Sequence, residues 1–431
     1  MSMISVPSHR PLLSGSKVLL VILLLLIMVF NSCRIFFPEE EEPVEPEEPE
    51  VEEPKEPEEP EEEVDTLDLM FPEIEPDTFR VVYLLPFHFD RDSLNPAQSQ
   101  LRDISRTFYQ GSKVALDTLK ECGYNLEVEV LDSRNDTAHL SNLKSRIKEI
   151  DPHLIIGPLF GDNLEYLSSF VEENKFNTIG PVANIEECPV DNPYIFYSNP
   201  TRKRYGEAAA ELANEMYAPI KPVVLRRERV NEARLADYFV EHLDLLVMED
   251  LLEITYETGE WEDDPIDSTK FGEANFVFIP SDHEPFVSTM MTYLQKAGMD
   301  YIVVGLDRWQ DFSRIDGIVW KNFQVHLLGS YYVDFDQPET IRFTSRYRER
   351  FNTEPDEFAF RGFDETRLYI NEIVREGVYF QRAYFGNPVM EAIPGIHKSY
   401  QFKDRACESW ANHYINIMKF EDDYKLHRLD R

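Results

Sequence analysis

Residues 80–131 read RVVYLLPFHFDRDSLNPAQSQLRDISRTFYQGSKVALDTLKECGYNLEVEVL. Arg80–Leu85 is a short run of β-branched and apolar residues closed by Pro86, the pattern of a buried strand. Downstream, Phe108, Gly111, Ala115, Leu119 and Cys122 recur at helical spacing, and Gly123 supplies a helix stop. Leu126–Leu131 is β-rich again. A strand, a helix of this length and a second strand form a crossover unit, and two strands so joined pair in parallel. Cys122 lies on the apolar stripe and is expected to be a small buried hydrophobe.

The same grammar continues outward. Helical stripes at Leu140–Ile150 and Leu164–Val171 alternate with strand-like Leu154–Ile156, Thr178–Ile179 and Tyr194–Tyr197. The pattern then restarts. Helices around Tyr205–Met216, Leu235–Leu246 and Val287–Ala297 separate strand-like Val223–Leu225, Leu251–Tyr256, Phe276–Ile279 and Tyr301–Val304. Two further helices are expected near Ile341–Phe351 and Asp364–Arg375, then β-rich runs around Tyr400 and Tyr414–Met418. The expected fold class is α/β: two lobes, each with a parallel-sheet core covered by helices on both faces.

The beginning of the chain reads differently. Arg10 and Lys17 precede 13 uninterrupted apolar residues, Val18–Phe30. That is too short for a spanning helix of about 20 residues and suits a secretory signal. Asn31-Ser32-Cys33 follows and resembles the lipobox of bacterial lipoproteins, which implies lipidation at Cys33; an uncleaved signal anchor is the alternative. Residues 34–76 hold 20 Asp/Glu against Arg34 and Lys55, with proline every few residues. Proline blocks helix and sheet, and like charges stretch the chain. The tract is expected to be a disordered stalk, whose Glu/Pro part at 38–76 reaches at most about 120 Å. An acidic run so soon after the cysteine also resembles the surface-export signal of some Bacteroidetes-like lipoproteins.

The whole chain carries a formal charge of −38, and a strongly acidic body disfavours nucleic acid as a partner. Beyond Cys33, three widely spaced cysteines (Cys122, Cys188, Cys407) make no disulfide framework. No G-x-S-x-G, H-E-x-x-H, P-loop or G-x-G-x-x-G is present. Asp282-His283-Glu284 lacks a second cluster at metal-ligand spacing, and an N-cap at Ser281 or Asp282 before Pro285 is the expected role. Neither catalysis nor a cofactor is expected.

Tyr83-Leu-Leu-Pro-Phe87, Phe108–Leu116, Ile155-Ile-Gly-Pro-Leu-Phe160, Ile179-Gly-Pro181, Ile279-Pro-Ser-Asp282, Val303-Val-Gly-Leu-Asp307 and Arg361-Gly-Phe-Asp364 resemble, in order and spacing, the leucine/isoleucine/valine-binding class of type I periplasmic binding proteins, in a Bacteroidetes-like lipoprotein branch. The resemblance covers about residues 79–420. It implies the type I periplasmic-binding-protein fold, two Rossmann-like lobes with parallel-sheet cores joined by three hinge crossovers, and a ligand held in the cleft between them, beyond the carboxyl ends of the strands. On that basis the ligand-binding candidates are Phe87, Phe160, Asn184, Ser198, Asp282, Asp307, Arg308, Trp309 and Asp364. Arg308 is suited to an anion and Trp309 to stacking, or else to packing beneath a surface turn. The sequence departs from the family at Leu159-Phe160-Gly161 and Val182-Ala183-Asn184, where hydroxyls that would clamp a carboxylate are missing.

The expected domains are 1–33 signal, 34–76 stalk, 77–200 plus 330–385 lobe 1, and 201–329 plus 386–431 lobe 2. The expected function is a lipid-anchored receptor in the cell envelope, on the outer membrane facing the periplasm or at the cell surface. It would close on a small polar ligand such as an amino acid for an ABC-type transporter. The alternative is a scaffold or regulator of a cell-envelope protein such as a peptidoglycan synthase. A cleft lined by convergent polar groups would favour the first, and a cleft plugged by Phe160 or Phe363 the second.

Overall fold

The computed structural model describes residues 66–90, 93–183, 185–186, 190–217, 220–245, 252–256, 274–298, 300–385, 390–402 and 409–429. All fall within one compact unit, Val64–Arg431. Cys33, Asn184, Cys188, Cys407, the signal and the stalk as far as residue 65 lie outside the described residues.

The first sheet is built from β1 (Phe79–Leu85), β2 (Leu126–Asp132), β3 (Leu154–Ile156), β4 (Asn177–Gly180) and β5 (Ile195–Tyr197), with a short late strand, Trp410–Ala411, at its edge. All its pairings are parallel, in the order β2-β1-β3-β4-β5 and then the late strand. The period of two along β1 sends Val81, Tyr83 and Leu85 to one face and Val82 and Leu84 to the other. The first set packs with Phe108, Tyr369 and Ile373, the second with Leu140, Leu164 and Leu167. Both faces are therefore covered, as a parallel sheet requires.

The second sheet repeats the plan with β6 (Pro222–Arg227), β7 (Leu252–Tyr256), β8 (Phe276–Phe278), β9 (Ile302–Leu306) and β10 (His326–Gly329). Asn416–Phe420 and Leu426–Arg428 add antiparallel at its edge beside β10. The chain passes between the sheets three times: through 198–201 after β5, 330–337 after β10, and 412–415 after Trp410–Ala411.

The helix after β1, here α1, runs Pro96–Glu121, twelve residues earlier than its apolar stripe begins. Asn95 Oδ1 accepts from Gln98 N at 2.9 Å and Gln98 Oε1 from Asn95 N at 3.2 Å, with Pro96 in the first turn. It packs against α2, Glu357–Glu376, so closely that only glycines fit the crossing. A Cβ at Gly111 would stand 1.8 Å from the Ala359 carbonyl oxygen, and one at Gly362 would stand 1.9 Å from that of Phe108.

Three expectations are corrected here. The folded body already includes Thr66–Phe71, ahead of the expected boundary at 77. Thr66–Met70 is helical and Phe71 is fully buried against Tyr194, Tyr379 and Phe385. Residues 390–402 and 409–411 go with lobe 1: Tyr400 and Phe402 join its core, the Trp410 ring stacks on Phe196, and the Trp410 indole N–H donates to the Pro193 carbonyl at 3.1 Å. Cys122 is the C-cap of α1 and is exposed, since the helix ends one residue before it. No helix among the described residues is long and apolar enough to cross a membrane.

Candidate functional site

In each sheet the strand order reverses beside its first strand, between β1 and β3 and between β6 and β8. Crevices open at the carboxyl ends of strands in such sheets. In the second lobe those ends deliver Asp282 after β8, Asp307, Arg308, Gln310 and Asp311 after β9, and Ser330 and Tyr331 after β10. They converge with Val182 and Asn199 of the first lobe, Tyr205, and Glu357, Phe358 and Arg361 from the start of α2, on a recess of about 620 Å³. An adjoining recess of about 380 Å³ shares Asp282 and is lined by Arg202, Arg227 and Arg229.

Asp307 anchors the larger recess. Its Oδ2 accepts from Ser330 N at 3.1 Å. The preceding residue must be glycine, because a Cβ at Gly329 would meet the Asp307 carboxylate at 2.4 Å. Burial pushes the Asp307 carboxyl up to about 6, and the nearby Glu357 pushes the same way. Arg361 is buried and crosses the floor. It donates to Asn199 Oδ1 at 2.7 Å and to Glu357 Oε1 at 2.8 and 3.0 Å, so its charge is already compensated. Among the described residues, no ion pair involves the exposed Arg308.

Behind the recess lies the hinge. Asp364 is fully buried and accepts from Ile396 N and His397 N, both at 2.9 Å, and it pairs with His397 Nδ1 at 2.5 Å. Lys398 Nζ donates to the Ser198 carbonyl at 2.9 Å and faces Glu365 at 3.5 Å. Asn412 Nδ2 reaches the same Ser198 carbonyl at 3.2 Å. Burial raises the Asp364 and Glu365 carboxyls and lowers the Lys398 ammonium.

The structure thus brings Asp282, Asp307 and Arg308 to the cleft and places the other candidates elsewhere. Trp309 is fully buried in the lobe 2 core, its indole N–H donating to the Ser281 carbonyl at 2.7 Å, so it offers no face to a ligand. Ser198 and Asp364 serve the hinge, the Ser198 hydroxyl lying 3.3 Å from Tyr369. Phe87 stacks on Phe89 in lobe 1, and Phe160 packs at the edge of the same core. Asn184 lies outside the described residues. The N-cap before Pro285 is His283, whose Nδ1 accepts from Phe286 N, rather than Ser281 or Asp282. Glu284 accepts from Ser313 N and Arg314 N. Among the described residues, no group of three or more His, Cys, Asp or Glu is placed to hold a metal ion. Tyr205, Ser330, Tyr331, Glu357 and Arg361 were not singled out as site residues from the sequence. Ser330 and Tyr331 follow a strand end, a signal that was available.

No protein-family model matches the chain, and no curated protein does. Solved structures do. A Rhodospirillum rubrum protein assigned to a branched-chain amino acid ABC transporter superposes with a TM-score of 0.62 at 13% identity, over 82% of this chain and 100% of its own. The C-domain of LpoA from Haemophilus influenzae, described as a regulator of PBP1A, superposes at 0.56 and 14% identity, over 81% and 100%. An ABC transporter substrate-binding protein from Desulfitobacterium hafniense in complex with Leu gives 0.52 at 13%, over 82% and 99%. The chain has the type I periplasmic-binding-protein fold.

Proposed function

We propose that this chain is an extracytoplasmic solute-binding receptor, held in the cell envelope by a lipid on Cys33, that closes its two lobes on a small polar ligand such as an amino acid and presents it to an ABC-type transporter. The observation that supports this reading is the state of the cleft. It is open and lined by convergent polar groups from both lobes and the α2 start, the composition of a ligand site. Neither Phe160 nor Phe363 plugs it; Phe363 packs on Phe343 at 4.6 Å. Two of the similar solved structures are described as ABC-transporter proteins.

A second reading, a scaffold that contacts a cell-envelope enzyme, draws on the clamp position. Leu159 there is buried and supplies no hydroxyl, and one similar structure is a regulator of PBP1A.

A thermal-shift screen of amino acids, short peptides, sugars and cell-wall fragments separates the two. A ligand at 100 times its Kd stabilises the fold by about 2.7 kcal/mol, a shift of a few degrees. Folded protein that responds to none of these classes, yet captures a peptidoglycan synthase, would overturn the receptor reading in favour of the second.

A further inference from the structure

The charge balance of the larger recess narrows the ligand's chemistry, an inference that rests on the receptor reading. The wall carries Asp282, Asp307, Asp311 and Glu357 against Arg308 and Arg361. Arg361 and Glu357 neutralise each other through two hydrogen bonds to Glu357 Oε1. In the adjoining recess Arg202 and Arg227 pair with Glu186 and Glu232, and Arg229 lines it together with Asp282. What remains is Asp307 and Asp311 against Arg308, an excess of at least one carboxylate in a recess between low-dielectric walls, which concentrates a negative potential there. Tyr205, Tyr331 and Phe358 stand on the same wall, and aromatic faces attract cations. Asp307 is the innermost of the unpaired acids, with the Ser330 amide on one oxygen.

A neutral zwitterion is a poor match for this wall. Its ammonium can meet Asp307 and its carboxylate Arg308, and Asp311 stays uncompensated. A molecule with net positive charge compensates it. We propose that the cleft selects organic cations, meaning ligands with a primary ammonium beyond any zwitterionic pair, held with that ammonium at Asp307 among Tyr205, Tyr331 and Phe358. Arg308 at the rim then repels the cation rather than binding an anion.

The test is isothermal titration calorimetry on the full-length protein in detergent, with lysine, pentane-1,5-diamine, leucine and glutamate as probes. Lysine or the diamine is expected to bind at least about tenfold more tightly than leucine or glutamate, with affinity falling as salt rises from about 50 to 300 mM. Asp307→Asn is expected to lose about tenfold or more of that affinity, and Arg308→Gln to raise affinity for the diamine severalfold. Asp311→Asn, at an exposed site, gives a second reading of the charge effect should Asp307→Asn misfold. Leucine or glutamate binding as tightly as lysine, with little effect of Asp307→Asn or Asp311→Asn, would overturn the charge selection and leave the receptor reading standing. No heat from any of the four probes overturns this proposal, while a response to sugars or uncharged fragments in the wider screen would keep the receptor.

Discussion

The Asp307 carboxyl group sits between Gly329, Ser330 and Tyr205, and shielding from water lifts its pKa from the ordinary 3.8 to about 6. Glu357 nearby adds to the rise, while Arg361 and the Ser330 and Arg308 amides oppose it. A folded-state pKa above the unfolded one means that the native protein holds this proton more tightly. Below about pH 3.8 both states are protonated and no cost exists; as pH rises through 6 the ionised group costs stability in full. Asp307→Asn is therefore expected to stabilise the fold by about 1–2 kcal/mol at pH 7.5, after discounting for partial exposure, and to change little near pH 3.5. Urea melts at the two pH values check this. A variant less stable at neutral pH would mean that the Ser330 amide contributes more to the carboxylate than burial costs. Asp307 and Arg308 were readable because they end a strand. Trp309, two residues on, was not readable as core: the 3-10 turn Asp307–Asp311 swings its indole back under the sheet to the Ser281 carbonyl. Glu357 and Arg361 are an i,i+4 pair on one helix, but Tyr205 sits on another helix more than a hundred residues away, and no local pattern links it to them.

Among the elements, the short Thr66–Met70 helix and Phe71 were hidden by the composition of the tract before them, where glutamate and proline dominate. Yet Leu67, Leu69, Met70 and Phe71 break that composition. Lys175 Nζ donates to the Leu69 carbonyl at 2.6 Å, Tyr194 OH to that of Met70 at 2.5 Å, and Arg382 pairs with Asp68 at 2.5 Å. Phe71→Ala removes a fully buried ring and is expected to cost about 3–5 kcal/mol, or to release the segment alone. Proteolysis confined to residues 66–76, with an unchanged main melt, would identify release. A second element-level expectation concerns α2, whose Glu365 faces Lys398 at 3.5 Å in the buried hinge. Lys398→Met strands the carboxylate and is expected to cost about 3–5 kcal/mol at pH 8, the double variant with Glu365→Leu much less. Burial raises the Glu365 carboxyl, so the single variant takes up a proton on folding. Its deficit should shrink as pH falls towards 5, where the native state gains that proton. A deficit independent of pH would show that packing, not charge, is what Lys398 provides.

At the scale of the whole folded unit, the alternation of strand and helix made both sheets and their parallel pairing readable from the sequence. The return of Trp410–Ala411 to the first sheet was not, because two residues carry no periodicity, and it is their parallel pairing with β5 and the stacking of Trp410 on Phe196 that assign them. The three crossovers meet around one helix. Arg361 of α2 reaches Asn199 at 2.7 Å in the first crossover and Ser330 at 3.5 Å in the second. The Ser198 carbonyl gathers Lys398 and, from the third, Asn412. On the receptor reading this junction is the pivot of lobe closure, since backbone torsions in a few residues absorb such motion while the polar contacts hold the strands together. On the same reading, saturating ligand is expected to lower the radius of gyration of the folded unit by on the order of 1 Å in solution scattering. Arg361→Lys keeps the charge but loses the fork that joins Glu357, Asn199 and Ser330. It should reduce this contraction and weaken binding several-fold while the recess residues Asp282, Asp307 and Asp311 stay in place. A variant that still binds and contracts like the natural protein would locate the pivot in the Lys398 and Asn412 contacts alone. Ligand binding with no contraction in either protein would mean that the lobes are already set at their bound angle and that recognition proceeds without closure.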